Sequence, residues 1–387
     1  MPGRPNELRL LLGRTDQGIP RYPLNANFIT PKAVVEKVKD FHLIFSIPFA
    51  QETSTLGMED KVKDFILIFT GILYEALPFI VFGAVIAGIV EEMIPPRLLA
   101  RLIPRKRVLA IAIGGLLGLP SPMCDCGILV IVRRLLRKGV PLSCCVCYLL
   151  AGPIINVVTL LSTRVAFSAA QETSVTVSGT SQFSGTQMMC LRAGLGYLVA
   201  FVTSLIVEWQ YRKHGPEKLL TPLAVPTGNL HDLADADAAA DEPPKPWLKR
   251  LENIVETALH DFVDVMVFLI LGALLAALSR QLIDRDDLAL WAGHYPVASI
   301  AIMMGMAVAL CICSQADAFV AASYVSLRPA SKLAFLVLGP MLDFKLYSMY
   351  TRVFRPRLIW TVVGSVVVQV FLYSVIVHFL WESYFNR

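Results

Sequence analysis

Pro120-Ser121-Pro122-Met123-Cys124-Asp125-Cys126-Gly127 interrupts an apolar run that extends from about residue 108 to 132. Proline removes a backbone donor and fixes φ, and glycine admits dihedrals that other residues avoid, so the stretch breaks a helix. The run around it is long enough to cross a bilayer, for which ~20 apolar residues suffice. Backbone that leaves the helix at membrane depth is tolerated only where protein or a water-filled cavity satisfies it. The stretch therefore predicts a polytopic, all-α integral membrane protein with broken helices around an internal site.

Further apolar runs lie at about 65–91, 142–163, 190–208, 262–283, 296–325, 333–350 and 358–381. Together they predict about eight transmembrane or re-entrant helical segments. Charged residues make up 17% of the 387-residue chain, against about 25% in soluble domains, and the mean hydropathy is +0.61. Residues 1–57 read as a marginal or poorly ordered segment, with no evident signal peptide. Lys37–Phe45 nearly repeats as Lys61–Phe69, which leaves Met1 and Met58 both open as the start. Residues 210–260 are polar, carrying Arg212, Lys213 and Lys218 and then Asp232, Asp235, Asp237 and Asp241. They read as a cytoplasmic linker between a first transmembrane repeat, 58–209, and a second, 261–387.

The two halves match each other. Glu75, Gly83 and Ala84 correspond to Asp264, Gly272 and Ala273 at a constant offset of 189. Cys124, Cys126, Gly152, Pro153 and Asn156 correspond to Cys311, Cys313, Gly339, Pro340 and Asp343 at an offset of 187. Duplication of this kind marks secondary transporters, whose sites lie at the repeat interface near mid-membrane. If the broken runs cross the membrane, the repeats are parallel. If they are re-entrant hairpins, the repeats are inverted, and the basic loops 98–107 and 352–357 share one side. Loop charge favours the inverted arrangement.

The candidate translocation residues are those that lipid alone would not tolerate or that a break exposes. Cys124, Cys126, Cys311 and Cys313 offer soft ligands suited to thiophilic solutes. Asp125, Asp317 and Asp343 are acids within apolar runs, where a charge costs roughly 2.5–3.5 kcal/mol or more at the bilayer centre. Lys345 neutralises Asp343 if Pro340 unwinds the local helix. Asn156 follows the break at Pro153 as Asp343 follows the one at Pro340. The predicted helix breaks are Pro120, Pro122, Gly127, Pro153 and Pro340. Cys144, Cys145, Cys147 and Cys190 read as packing residues, with no secreted disulfide framework among the eight cysteines.

No phosphate-binding loop, metal site or cofactor motif is evident. Arg133, Arg134, Arg137 and Lys138 read as a short cytoplasmic loop, which speaks against nucleic-acid binding. Three function classes remain: a permease for a small solute, a membrane thiol–disulfide oxidoreductase, and a scaffold subunit. Duplicated polar residues beside mid-membrane breaks favour the permease, and the chain is not expected to be an enzyme.

Pro122-x-Cys124-x-Cys126-Gly127, Gly139-Val140-Pro141 and Pro153-x-Ile155-Asn156 resemble the signature of the bacterial predicted-permease family that includes organoarsenical efflux permeases of the ArsP type. In the second half, Cys313-Ser314-x-Ala316-Asp317-Ala318-Phe319 and Gly339-Pro340-Met341-x-Asp343-x-Lys345 extend the likeness, which covers about 62–380. The resemblance implies a multi-pass permease of the bacterial inner membrane, with trivalent methylarsenicals as one substrate class. Asp125 stands where the family usually has a small residue between the cysteines.

Overall fold

The computed structural model describes residues 58–93, 96–104, 106–121, 123–174, 183–215, 218–221, 230, 247–282, 296–324 and 327–385. The expectations for residues 1–57 and for Pro122 lie outside the described residues. Helices α1 (Met58–Met93), α2 (Pro96–Leu102), α3 (Arg107–Leu116), α4 (Asp125–Arg137), α5 (Leu142–Ile155), α6 (Val157–Ser174) and α7 (Gly185–His214) build the first half. Helices α8 (Trp247–Leu282), α9 (Pro296–Leu310), α10 (Asp317–Ser323), α11 (Pro329–Leu338), α12 (Phe344–Val353) and α13 (Pro356–Phe385) build the second. Among the described residues, five segments are long and apolar enough to cross a membrane: Val62–Met93, Leu142–Ala169, Gly185–His214, Trp247–Leu278 and Pro356–Trp381. Shorter apolar helices lie at Arg107–Leu116, Val297–Leu310 and Pro329–Leu338.

The runs at 108–132 and 296–325 do not cross. Arg107 at the start of α3 bonds Glu208 at 2.6 Å, and Ser143 at the start of α5 donates to the same carboxylate at 2.9 Å. After α4 the chain turns at Gly139, whose φ of 81° suits glycine, and enters α5 directly. The start of α3, the end of α4 and the start of α5 therefore share one end of the bundle, and α3–α4 is a re-entrant hairpin. Gly114 packs on Cys144 and Gly118 on Gly152, so α3 and α5 run the same way. The second half repeats the device, because Ser299 near the start of α9 donates to Ser331 near the start of α11 at 2.8 Å.

The two halves are inverted. α1 and α8 each run for 36 residues and cross antiparallel: Gly88 lies on Ile254, and Ile72 packs with Ala273 and Ala276. α7 and α13 also pair antiparallel, with Gln210 bonded to Thr361 at 2.9 Å and Gln369 to Thr203 at 3.0 Å. The α3–α4 hairpin thus opens at one end and α9–α10 at the other. Arg101, Lys106, Arg107, Arg137, Lys138, Arg212, Lys213, Arg355 and Arg357 all gather at the first of these, the basic end.

Two boundaries differ from expectation. The segment 210–260 is helical at both margins, since α7 reaches His214 and α8 begins at Trp247. Between them, Leu219 and Leu220 are buried, Leu220 forms a bridge with Phe354, and the Leu230 N–H reaches the Gly139 carbonyl at 3.2 Å. Arg133 and Arg134 belong to no loop; they lie buried on α4. Every residue of α5 is buried, whereas Leu67, Val81, Phe82 and Val85 of α1 and Val368, Leu372 and Ile376 of α13 face outward. Against lipid tails such a surface loses nothing, and the bundle is held by close packing and internal polar contacts.

Candidate translocation site

The first break runs from Leu117 to Cys124 and the second from Cys311 to Ala316. Cys124 is extended at the N-terminus of α4 (φ −79°, ψ 168°), and Asp125 opens that helix. Cys311 holds φ at 48°, a left-handed conformation rare outside glycine, which turns the chain sharply out of α9. Pro120 lies in the first break, as expected. Gly127 does not break its helix; it is inside α4, where lack of a side chain lets Gly83 of α1 approach. A β-carbon on Gly83 would fall 2.8 Å from the Gly127 Cα. Pro153 likewise sits within α5, and the interruption follows at Asn156. Pro340 lies in the turn after α11.

Asn156 and Asp343 occupy equivalent junctions and do equivalent work. The Asn156 side chain accepts from the Val158 N–H at 2.8 Å and donates to the Met123 carbonyl of the first break at 3.1 Å. Asp343 caps α12 by accepting from the Leu346 N–H. Each satisfies a helix terminus that lipid would leave bare.

Two buried charge groups meet between the breaks. Lys345 Nζ lies 3.4 Å from Asp125 Oδ2 and 3.7 Å from Asp343 Oδ2, with all three side chains at most 5% exposed. Arg192 of α7, fully buried, bonds Asp317 Oδ2 at 2.7 Å, the Ser314 carbonyl at 3.1 Å and Thr163 Oγ1 at 2.7 Å. Buried charges persist when paired in this way. Asp125 Oδ1, Asp317 Oδ1 and Ser314 Oγ are buried without a hydrogen-bond partner. Arg192 was not foreseen from sequence, although a lone arginine inside an apolar run was its signal.

The thiols are placed unevenly. Cys124, Cys126, Cys311 and Cys313 are all buried. Cys124 and Cys126 flank Asp125 at the start of α4. Cys126 Sγ lies 3.8 Å from Asp125 Oδ2, and Cys313 feels Cys124, Asp125, Glu75 and Lys345. Cys311 turns toward the Val308 carbonyl at 3.3 Å. Among the described residues, no three His, Cys, Asp or Glu side chains are close enough to hold a metal ion. Cys144 and Cys147 pack against Gly114 and Gly115, while Cys190, read as packing, is exposed on α7.

A second ion-pair network lies toward the basic end. Asp261 of α8 receives Arg134 at 2.7 Å and Arg133 at 3.3 Å. Asp264 bridges Arg133 and Arg352, each at 3.0 Å. α4, α8 and α12 are thereby joined, and Leu129, Val130, Val265, Phe268, Met349 and Val353 line a small apolar crevice beneath.

This architecture agrees with comparison to known proteins. The profile of a family described as predicted permeases matches residues 61–379. The UPF0718 protein YcgR of Bacillus subtilis is 33% identical over 311 residues, covering 80% of this chain and 95% of that protein. A putative two-component membrane permease complex subunit of Streptococcus mutans is 29% identical over 321 residues, covering 83% and 97%. No solved structure matches. A helical bundle with inverted halves, two re-entrant breaks and a charged, thiol-bearing centre thus coincides with a family match over most of the chain: the protein is a multi-pass membrane permease and belongs to the predicted permease family.

Proposed function

We propose that the permease exports a small thiophilic solute, of the trivalent methylarsenical class, across a bacterial inner membrane, with its basic end in the cytoplasm. The feature that carries this reading is that both breaks supply buried thiols, Cys124 and Cys126 beside the Asp125–Lys345 pair in the first and Cys313 in the second. A trivalent, soft centre prefers thiolates, and the two breaks supply thiols from both repeats. The same burial weighs against a thiol–disulfide oxidoreductase, whose reactive pair needs access to a partner redox centre. Lysine and arginine at the basic end favour a cytoplasmic position for that end by the positive-inside tendency.

The test is growth of an efflux-deficient bacterial host on methylarsenite with and without the chain. Resistance is expected, and Cys124→Ser, Cys126→Ser and Cys313→Ser are each expected to reduce it at unchanged protein level. Cys190→Ser is expected to leave it intact. No resistance from the wild-type chain refutes the thiophilic reading. Full resistance in all three site variants assigns the thiols to packing.

A further inference from the structure

Aligned by the cysteines, Asp125 of the first half corresponds to Ile312 of the second. The structure pairs it differently. Asp125 is the first residue of α4, the returning arm of the first hairpin, and Asp317 is the first residue of α10, the returning arm of the second. Each gives Oδ2 to one buried cation carried by another segment: Lys345 for Asp125, and Arg192 for Asp317. In each, Oδ1 is buried with no partner. Asp343 is different, because its two oxygens are taken by the Leu346 N–H and by Lys345.

An acceptor oxygen sealed from water requires a donor. At Asp125 the surrounding ionisable groups are Lys345, Asp343 and Tyr350 from the α12 region. Cys124 and Cys126 beside it in the chain, and Cys313 and Asp317 from the second half, join that set. At Asp317 they are Arg192 from α7 and Asp125 across the centre. Around the breaks Lys345 holds Asp125 and Asp343, and Arg192 holds Asp317. One carboxylate oxygen per repeat, Asp125 Oδ1 and Asp317 Oδ1, is left buried without a partner.

We propose that Asp125 Oδ1 and Asp317 Oδ1 are proton-binding positions, one from each repeat, and that the permease exchanges its solute for protons. A proton entering from the side opposite the basic end neutralises the carboxylate and weakens its hold on Lys345 or Arg192. At Asp317 this loosens a clamp, because Arg192 also holds the Ser314 carbonyl of the second break and Thr163 of α6. Release of the proton to the other side restores the ion pair. The inference rests on the permease reading and not on which solute is carried.

The experiment is infrared difference titration of the purified full-length protein in lipid, reading the protonated-carboxyl stretch. The wild type is expected to show buried carboxyls that titrate reversibly. Asp125→Asn and Asp317→Asn are each expected to lose one such band, and Asp343→Asn to lose none. Circular dichroism checks that each variant is folded. Retention of every titrating band in both Asp125→Asn and Asp317→Asn overturns the proposal. A second measurement uses wild-type proteoliposomes loaded with a pH-reporting dye. Methylarsenite transport is expected to move protons in the opposite direction, and transport with no pH change overturns the coupling. If methylarsenite is not carried at all, the thiophilic reading fails, and the infrared titration alone decides the proton sites.

Discussion

The Cα of Lys345 lies 2.6 Å from where a β-carbon on Gly272 would fall. Its repeat mate Gly83 holds Gly127 in the same manner. Each long crossing helix thus presents one glycine on which a segment of the site rests, and the two contacts set how far Asp125 and Lys345 stand apart.

Any side chain at Gly272 must push α12 away. Gly272→Val is expected to cost about 1–3 kcal/mol, the usual range for overpacking, and to separate Lys345 from Asp125. Transport is expected to fall steeply while helix content is kept. Gly71, where an added β-carbon would meet open space, supplies the control: Gly71→Ala is expected to be silent. Circular dichroism and a transport or resistance assay on the same preparations check both.

The two junction caps are expected to separate stability from function. Asp343→Asn keeps an oxygen for the Leu346 N–H, so thermal unfolding in detergent shifts little while transport drops, because Lys345 loses one of its two carboxylates. Asn156→Ala removes the cap, worth about 1 kcal/mol. It also strips the Met123 carbonyl of its donor, which costs about 1–3 kcal/mol more. That variant is expected to be less stable before it is less active.

Asp261 is the carboxylate that both Arg133 and Arg134 depend on. Asp261→Ala leaves two buried guanidiniums short of a partner, and breaking such a group costs about 3–5 kcal/mol. Asp264→Ala, at a side chain one-third exposed, is expected to cost much less. Membrane yield and melting temperature should rank Asp261→Ala well below Asp264→Ala; equal values would show that the buried network does not hold α4 to α8.

The orientation is open to reporters. The loops entering α3 and α13 lie at the basic end, and α13 finishes at the other. A fluorescent reporter that folds only in the cytoplasm is expected to light up in the first two places and stay dark after residue 387. A phosphatase active only outside the cytoplasm is expected to give the converse. The opposite result inverts the protein in the membrane and with it the direction of transport.

Much of this arrangement was legible in the sequence because membrane depth restricts what a polar residue can be for. Two prolines beside Cys124, and Gly-Pro before both Asn156 and Asp343, mark breaks that only a protein interior sustains. Inversion was readable as a preference from loop charge, and the contacts of Arg107, Ser143 and Glu208 decide it. What stayed hidden depended on partners distant in the chain. Arg133 and Arg134 look like loop residues until Asp261, on another helix, is seen to receive them. Asp317 looks isolated until Arg192 arrives from α7. The cysteine alignment also misdirects, because α9 continues to Leu310 while α3 stops at Leu116. The second break is therefore shorter, and the acids match by helix position where the numbering does not.

The length of the two crossed helices has its own consequence. The helical stretches Val62–Met93 and Trp247–Leu278 are 32 residues each, about 48 Å at 1.5 Å per residue, so charged margins such as Lys249, Arg250, Glu252 and Glu256 reach toward the edges of a hydrocarbon core of about 30 Å. Where such helices tilt to fit the core, two that cross antiparallel tilt like the blades of scissors. Bilayer thickness then sets the angle between the blades, and Gly83 and Gly272 pass that angle to the segments resting on them. The lipid in which this permease sits is in that sense part of its mechanism, with thicker membranes closing the blades and thinner ones spreading them.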